Sequence, residues 1–163
     1  MPVSKDGLID LIELKNSLRA DTILVYVMYV NNETGVIQPI KEIAKLAHEK
    51  RALFMTDATQ AAGKIEIDVD ELGIDLLCMS GHKMYAPKGI GALYVRKGIK
   101  LPTFIHGGGH ERGVRSVTLN VPGIIALAKA CEIAKIEMKH DEEGICALRD
   151  ELENELIKIS GTF

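Results

Sequence analysis

Ile74-Asp75-Leu76-Leu77-Cys78-Met79-Ser80-Gly81-His82-Lys83, continuing through Pro87, Gly89 and Gly91 to Ala92-Leu93-Tyr94-Val95, is the stretch whose reading decides the fold. An apolar run over 74–79 leads into the small polar cluster 80–83. A proline- and glycine-bearing turn follows, then a second apolar run over 92–95. The pattern reads as strand, polar knot, turn, strand. Open α/β sheets place their ligands at the carboxyl ends of strands. A partly desolvated lysine held there sheds its proton more readily and can attack a carbonyl. By itself the tetrapeptide is better read as a solvated lysine in a surface loop, so the rest of the chain has to decide.

Upstream, 8–18 carries Leu11, Leu14 and Leu18 on one helical face. The run 23–30 is apolar almost throughout, as in a central strand of a parallel sheet, and ends at Asn31-Asn32-Glu33-Thr34-Gly35. Pro39 suits a first helical turn, and Ile40, Ile43, Ala44 and Ala47 give a helix reaching about Lys50. A short strand over 52–56 stops at Asp57-Ala58-Thr59-Gln60. Residues 65–69 read as a loop or short strand, and 70–72 as a turn of helix.

Downstream, 103–106 reads as a further strand, and Gly107-Gly108-Gly109 opens a flexible loop. Pro122 opens a long helix with Ile124, Leu127, Ala128, Cys131 and Ala134 in one stripe. The stripe breaks over 140–144, and a second helix carries Ile145, Leu148, Leu152, Leu156 and Ile159 to a stop at Gly161. The element order is α/β over the first two-thirds and helical thereafter.

A length of 163 residues suits one ordinary domain, and 47% apolar residues exclude a disordered chain. Twenty Lys and Arg against 23 Asp and Glu leave a net charge of −3, the opposite of a nucleic-acid footprint. No apolar stretch is long enough to span a bilayer, and the first residues lack a signal-peptide core, so a cytoplasmic protein is the expectation. Cys78, Cys131 and Cys146 are odd in number and form no C-x-x-C pair. They are therefore expected as buried, inert thiols.

Three successive strands thus end in polar clusters, which a parallel sheet brings to one edge. Asp57 with Gln60 has the form of a helix-capping box. It also suits a carboxylate facing a ring nitrogen. Pyridoxal phosphate needs such a carboxylate and a lysine for its Schiff base, and Asp57 and Lys83 are of those types on neighbouring strand ends. His82, His106 and His110 form no zinc motif, since no second histidine stands at the H-E-x-x-H position after His110. Asn32 is a turn residue by type.

Four motifs occur in one order: Asn31-Asn32-Glu33-Thr34-Gly35, Asp57-Ala58-Thr59-Gln60, Ser80-Gly81-His82-Lys83-Met84-Tyr85-Ala86-Pro87-Lys88-Gly89, and His106-Gly107-Gly108-Gly109-His110-Glu111-Arg112-Gly113. Together they closely resemble cysteine desulfurases, pyridoxal-phosphate enzymes of fold type I within the class V aminotransferase superfamily. The resemblance runs nearly from end to end and implies a three-layer α/β fold with a mainly parallel sheet. It implies that Lys83 forms the Schiff base, Asp57 pairs with the pyridine nitrogen, and Gln60 hydrogen-bonds the ring oxygen. Ser80 and His82 would hold the phosphate, Asn32 would lie near the ring oxygen and substrate carboxylate, and Thr118 would reach the phosphate of a neighbouring subunit. Lys83 and His82 become the catalytic candidates. The implied reaction takes sulfur from L-cysteine, leaving alanine and an enzyme persulfide that supplies iron–sulfur scaffolds or other acceptors from a homodimer.

The sequence departs from the family in lacking its glycine-threonine phosphate loop, ring-stacking histidine, carboxylate-clamping arginine and catalytic-cysteine loop. The expectation is a central piece of such an enzyme. Residues 1–122 would form part of the cofactor-binding large domain, and 123–163 a connecting helix and the start of a small domain. A selenocysteine lyase, another class V aminotransferase, or a non-catalytic folding or docking segment are the alternatives.

Overall fold

A computed structural model describes residues 2–159. In chain order the elements are α1 (Leu11–Ser17), β1 (Leu24–Met28), α2 (Ile40–Glu49), β2 (Leu53–Asp57), β3 (Leu76–Ser80), β4 (Gly91–Val95) and α3 (Val121–Ile157). The strands form one sheet in the order β1-β2-β3-β4. The first three run parallel, and β4 returns antiparallel to β3. The α/β class with a mostly parallel sheet is therefore as the sequence led one to expect. So are the apolar strand runs that each end in a polar cluster.

One face of the sheet is packed. Val25, Phe54 and Leu77 point into a core shared with Ile40, Ile43, Ala44 and Ala47 of α2, and Ile74 and Leu14 join them. Phe54 and Ile43 are wholly buried. Burying side chains of this size contributes roughly 1.5–3 kcal/mol each. The helical spacing of the α2 residues is what lets one helix pack against both β1 and β2. Asp10 starts α1 by accepting the Ile12 and Glu13 amides.

The opposite face follows from strand periodicity. Tyr26, Met55, Leu76 and Val95 form one row across the sheet, and Met28, Asp57, Cys78 and Leu93 the next, with Ser80 opposite Gly91 beyond it. Tyr26 and Leu93 are about half exposed. Gly91 is required here, because a Cβ would lie 2.6 Å from the Met79 carbonyl oxygen.

A polar staple holds the other end of β3. Asp75 is buried, and its Oδ2 accepts the Phe54 amide at 2.9 Å and meets His48 Nε2 at 2.8 Å. Its Oδ1 faces Arg96 Nε at 3.3 Å. Arg96 also donates to the carbonyls of Val69 and Ile74. The staple ties α2, β2, β3 and the end of β4 together.

Some expectations are corrected. Residues 103–106 do not form a strand of the sheet; only Ile105 makes a bridge, to Arg115. That segment pairs with the chain returning from the glycine loop, so its hydrogen bonds are met locally. The two expected helices are one, α3, which runs through 140–144 unbroken. The broken apolar stripe marks a loss of packing, while Glu142 and Glu143 keep helical propensity across it despite Gly144. The expected stop at Gly161 lies outside the described residues. None of the three cysteines is fully buried. The capping box is also absent. Asp57 Oδ1 accepts the Thr59 amide at 2.8 Å and closes a turn, while the Gln60 side chain meets Lys64 instead of reaching back.

Candidate active site

β1, β2 and β3 are parallel and in register at Met28, Asp57 and Cys78, so their carboxyl ends share one edge of the sheet. After β1 the chain turns at once. Asn31 Oδ1 accepts the amides of Glu33 and Thr34, so Asn31 makes the turn and leaves Asn32 exposed. After β2, Asp57 ends the strand half-buried on the unpacked face, its Oδ1 tied to its own turn. Gln60 lies half-buried in that turn.

After β3, Ser80 leads into a short 3₁₀ turn, Gly81–Met84. Ser80 Oγ and His82 Nδ1 are 2.7 Å apart. His82 is exposed, and Lys83 half-buried, whereas Lys64 and Lys88 stand in solvent. Tight packing holds the turn. A Cβ on Gly81 would crowd Ile90 and Ala86, and Met84 and Ala86 are buried against Leu127 of α3. Gly63 takes a positive φ, and a Cβ there would crowd Met84 and Ala134 at 3.0 and 3.1 Å. The first half of α3 thus backs the lysine-bearing turn.

Asp57, Gln60, Ser80, His82 and Lys83 therefore gather at the ends of two neighbouring strands. Thr118 does not join them. It is exposed on the segment following Ser116, which is buried and accepts the Gly109 amide. Among the described residues no hydrogen bond links Thr118 or Asn32 to the others. Two residues of the site face escaped the sequence reading, Tyr26 and Cys78. Strand periodicity carried the signal: Cys78 stands two residues before Ser80, and Tyr26 alternates with the core residues Val25 and Val27. Burial, then the Asp57 charge, pushes both the Tyr26 phenol and the Cys78 thiol above their ordinary values.

A carboxylate, an amine and a hydroxyl–imidazole pair stand on the carboxyl edge of a mostly parallel sheet, the place where α/β proteins hold polar ligands. The donor set fits pyridoxal phosphate: a carboxylate for a ring N–H, a half-buried amine for an aldehyde, and hydroxyl and imidazole groups for phosphate.

Comparison with known proteins gives the family. The aminotransferase class-V profile matches residues 1–162, and the chain belongs to that family. It is 50% identical to a cysteine desulfurase IscS of Methanosarcina thermophila over 99% of this chain and 40% of that protein. A solved structure titled NifS-like protein superposes with a TM-score of 0.94 at 40% identity, covering 98% of this chain and 44% of that one. Another, SspA in complex with cysteine, has a TM-score of 0.75 at 46% identity, covering 78% of this chain and 37% of that one. The chain thus spans about 40% of the length of the curated relatives it matches.

Proposed function

We propose that this chain carries the lysine-bearing part of a pyridoxal-phosphate-dependent cysteine desulfurase, an enzyme that takes sulfur from L-cysteine and leaves L-alanine. The observation that carries the reading is the convergence of Asp57, Ser80, His82 and Lys83 on one sheet edge. About 50% identity to cysteine desulfurases over nearly the whole chain supports it.

When bound, pyridoxal phosphate supplies an electron sink for bonds breaking at the α-carbon of an amino acid. The chain's own groups then divide the work. Lys83 would hold the aldehyde through its amine and carry protons near it. Asp57 would face the pyridine nitrogen and favour a proton there. Gln60 donates to the ring oxygen, with Asn32 near it and near the substrate carboxylate. Ser80 and His82 hold the phosphate, their mutual hydrogen bond fixing the imidazole's orientation. Thr118, exposed on a separate segment, is suited to a phosphate held by a second subunit.

In this reading 1–122 belongs to the cofactor domain and 123–163 leads into a second domain. The parent is a homodimer that passes sulfur to iron–sulfur scaffolds or other acceptors. A cytoplasmic setting accords with the slightly acidic charge. Among the described residues no helix is long and apolar enough to cross a membrane.

The test is uptake of pyridoxal 5′-phosphate by the chain, followed by its absorbance above about 400 nm. Uptake that depends on Lys83, with a spectrum that changes on adding L-cysteine, is expected. Asp57→Asn separates the two roles of that residue, because Asn closes turns about as well as Asp. The variant should fold normally and lose most uptake. No uptake by the wild-type chain would overturn the cofactor reading.

A further inference from the structure

We propose that Tyr26 and Cys78 are positioning residues for Asp57, gripping its carboxylate from the two flanking strands so that it faces the open side of the sheet. The inference rests on the cofactor reading above, in that the carboxylate is what a ring nitrogen would meet.

The geometry is that of the ladder. Cys78 on β3 is the direct partner of Asp57 on β2. Tyr26 on β1 is paired with Met55, two residues before Asp57, and so lies diagonally across from it on the same face. Side chains at direct and diagonal positions on one face are within reach of each other, the more so for an aromatic. Asp57 thus has a neutral donor on each side. Its own turn holds Oδ1 through the Thr59 amide.

The electrostatics agree with the placement. Burial first, and then the Asp57 charge, raises both the Tyr26 phenol and the Cys78 thiol. Both are thereby kept protonated, as donors must be. A carboxylate gripped by a neutral donor from each flanking strand, as well as by its own backbone amide, would have little freedom to rotate. A positioned acceptor binds a ring N–H better than one that must be ordered first. Cys78 is then neither an inert core thiol nor a sulfur acceptor. Its Sγ also lies 3.8 Å from the Thr56 carbonyl oxygen, within the β2–β3 ladder.

The experiment uses the 163-residue chain in two arms, with circular dichroism confirming that each variant is folded. In the first, without cofactor, tyrosine labelled with ¹³C at Cζ follows the Tyr26 phenol, and iodoacetamide with peptide mass spectrometry follows the Cys78 thiol. Asp57→Asn should move the Tyr26 titration down toward the ordinary value of 10.0. It should speed Cys78 alkylation about 3- to 10-fold at mildly alkaline pH, because the thiolate fraction rises. In the second arm pyridoxal 5′-phosphate is titrated. Tyr26→Phe and Cys78→Ala should each weaken its Kd roughly 3- to 10-fold. Cys78→Ser, which still donates, should stay within about twofold of wild type.

Unchanged titration and alkylation in Asp57→Asn would overturn the proposal, since the three groups would not then interact. So would shifts there combined with wild-type affinity in both Tyr26→Phe and Cys78→Ala, which would leave the contact without a positioning role. Failure of the wild-type chain to take up the ligand would sink the cofactor reading itself. The first arm still decides whether Tyr26 and Cys78 grip Asp57.

Discussion

Ser80 Oγ and His82 Nδ1 stand 2.7 Å apart across the start of the turn that follows β3. The bond joins an exposed imidazole to a half-buried hydroxyl and so fixes a ring that would otherwise rotate freely. Two groups that act as a unit give non-additive mutations. Ser80→Ala and His82→Ala should each weaken pyridoxal 5′-phosphate binding about 5- to 10-fold, and the double variant hardly more than the worse single. Calorimetric titration of the three variants measures this. Strict additivity would show that the pair does not share one phosphate.

Three lysines compete for the aldehyde, Lys64, Lys83 and Lys88. Only Lys83 is half-buried, in a turn packed from below by Met84, Ala86 and Leu127. Borohydride reduction of the chain mixed with pyridoxal 5′-phosphate should place the label on Lys83 by peptide mass spectrometry. Label on Lys64 or Lys88 would refute the assignment. Lys83→Arg should remain unlabelled, because its guanidinium stays protonated and forms no imine.

Asp75 supplies a stability prediction at the opposite end of β3. Asp75→Ala would strand the buried Phe54 amide and remove the carboxylate that Arg96 and His48 face. Losing one partner of such a buried group costs about 2–4 kcal/mol. Asp75→Asn keeps an acceptor for the amide and should cost less. Urea denaturation gives both values. Pyridoxal 5′-phosphate uptake, measured where the variants remain folded, should be unchanged.

What the sequence shows and what it hides differ by physical kind. The strands of the parallel core were legible because an apolar run followed by a polar cluster is a local pattern, as at Leu76–Ser80. The polar cluster at 80–83 came with it, but not the 3₁₀ turn Gly81–Met84 that carries it. The unbroken α3 was not legible, because its stripe of Leu127 and Cys131 stops where packing stops, while the backbone needs no packing to continue. Tyr26 and Cys78 were hidden for another reason. Their place beside Asp57 depends on the register of three strands far apart in the chain, and register is a property of the assembled sheet.

The upward shifts at Tyr26, Tyr29 and Cys78 set a pH dependence. Burial is the largest cause in each, with Asp57 adding to the first and last. A group whose folded form holds its proton more tightly leaves the folded state with more bound protons once the unfolded chain begins to ionise. Stability then falls with rising pH. The decline should begin near the ordinary thiol value of 9.0 and continue past the ordinary tyrosine value of 10.0. Thermal melts from pH 7 to 11 should show it, less steeply in Tyr26→Phe and Cys78→Ser. A flat profile would contradict the tighter hold of the folded chain on these protons.

The last prediction concerns sulfur. A desulfurase needs a thiolate that can reach the substrate sulfur, and the thiol that lies on the site face is the wrong kind. Cys78 sits within the β2–β3 ladder, and both burial and the adjacent Asp57 charge hold its proton on. A thiol kept protonated beside a carboxylate is a poor nucleophile. Cys131 lies among the residues where α3 backs the lysine-bearing turn, and Cys146 lies on the far half of α3. None of the three is set up to receive sulfur from a substrate held at Lys83. The purified chain, loaded with pyridoxal 5′-phosphate and given L-cysteine and reductant, should release no sulfide beyond the rate of the free cofactor. Sulfide well above that background, abolished by replacing one of these cysteines with serine, would show that a thiol on this chain does accept sulfur, and where that cysteine is Cys78 it would overturn the assignment of Cys78 to Asp57.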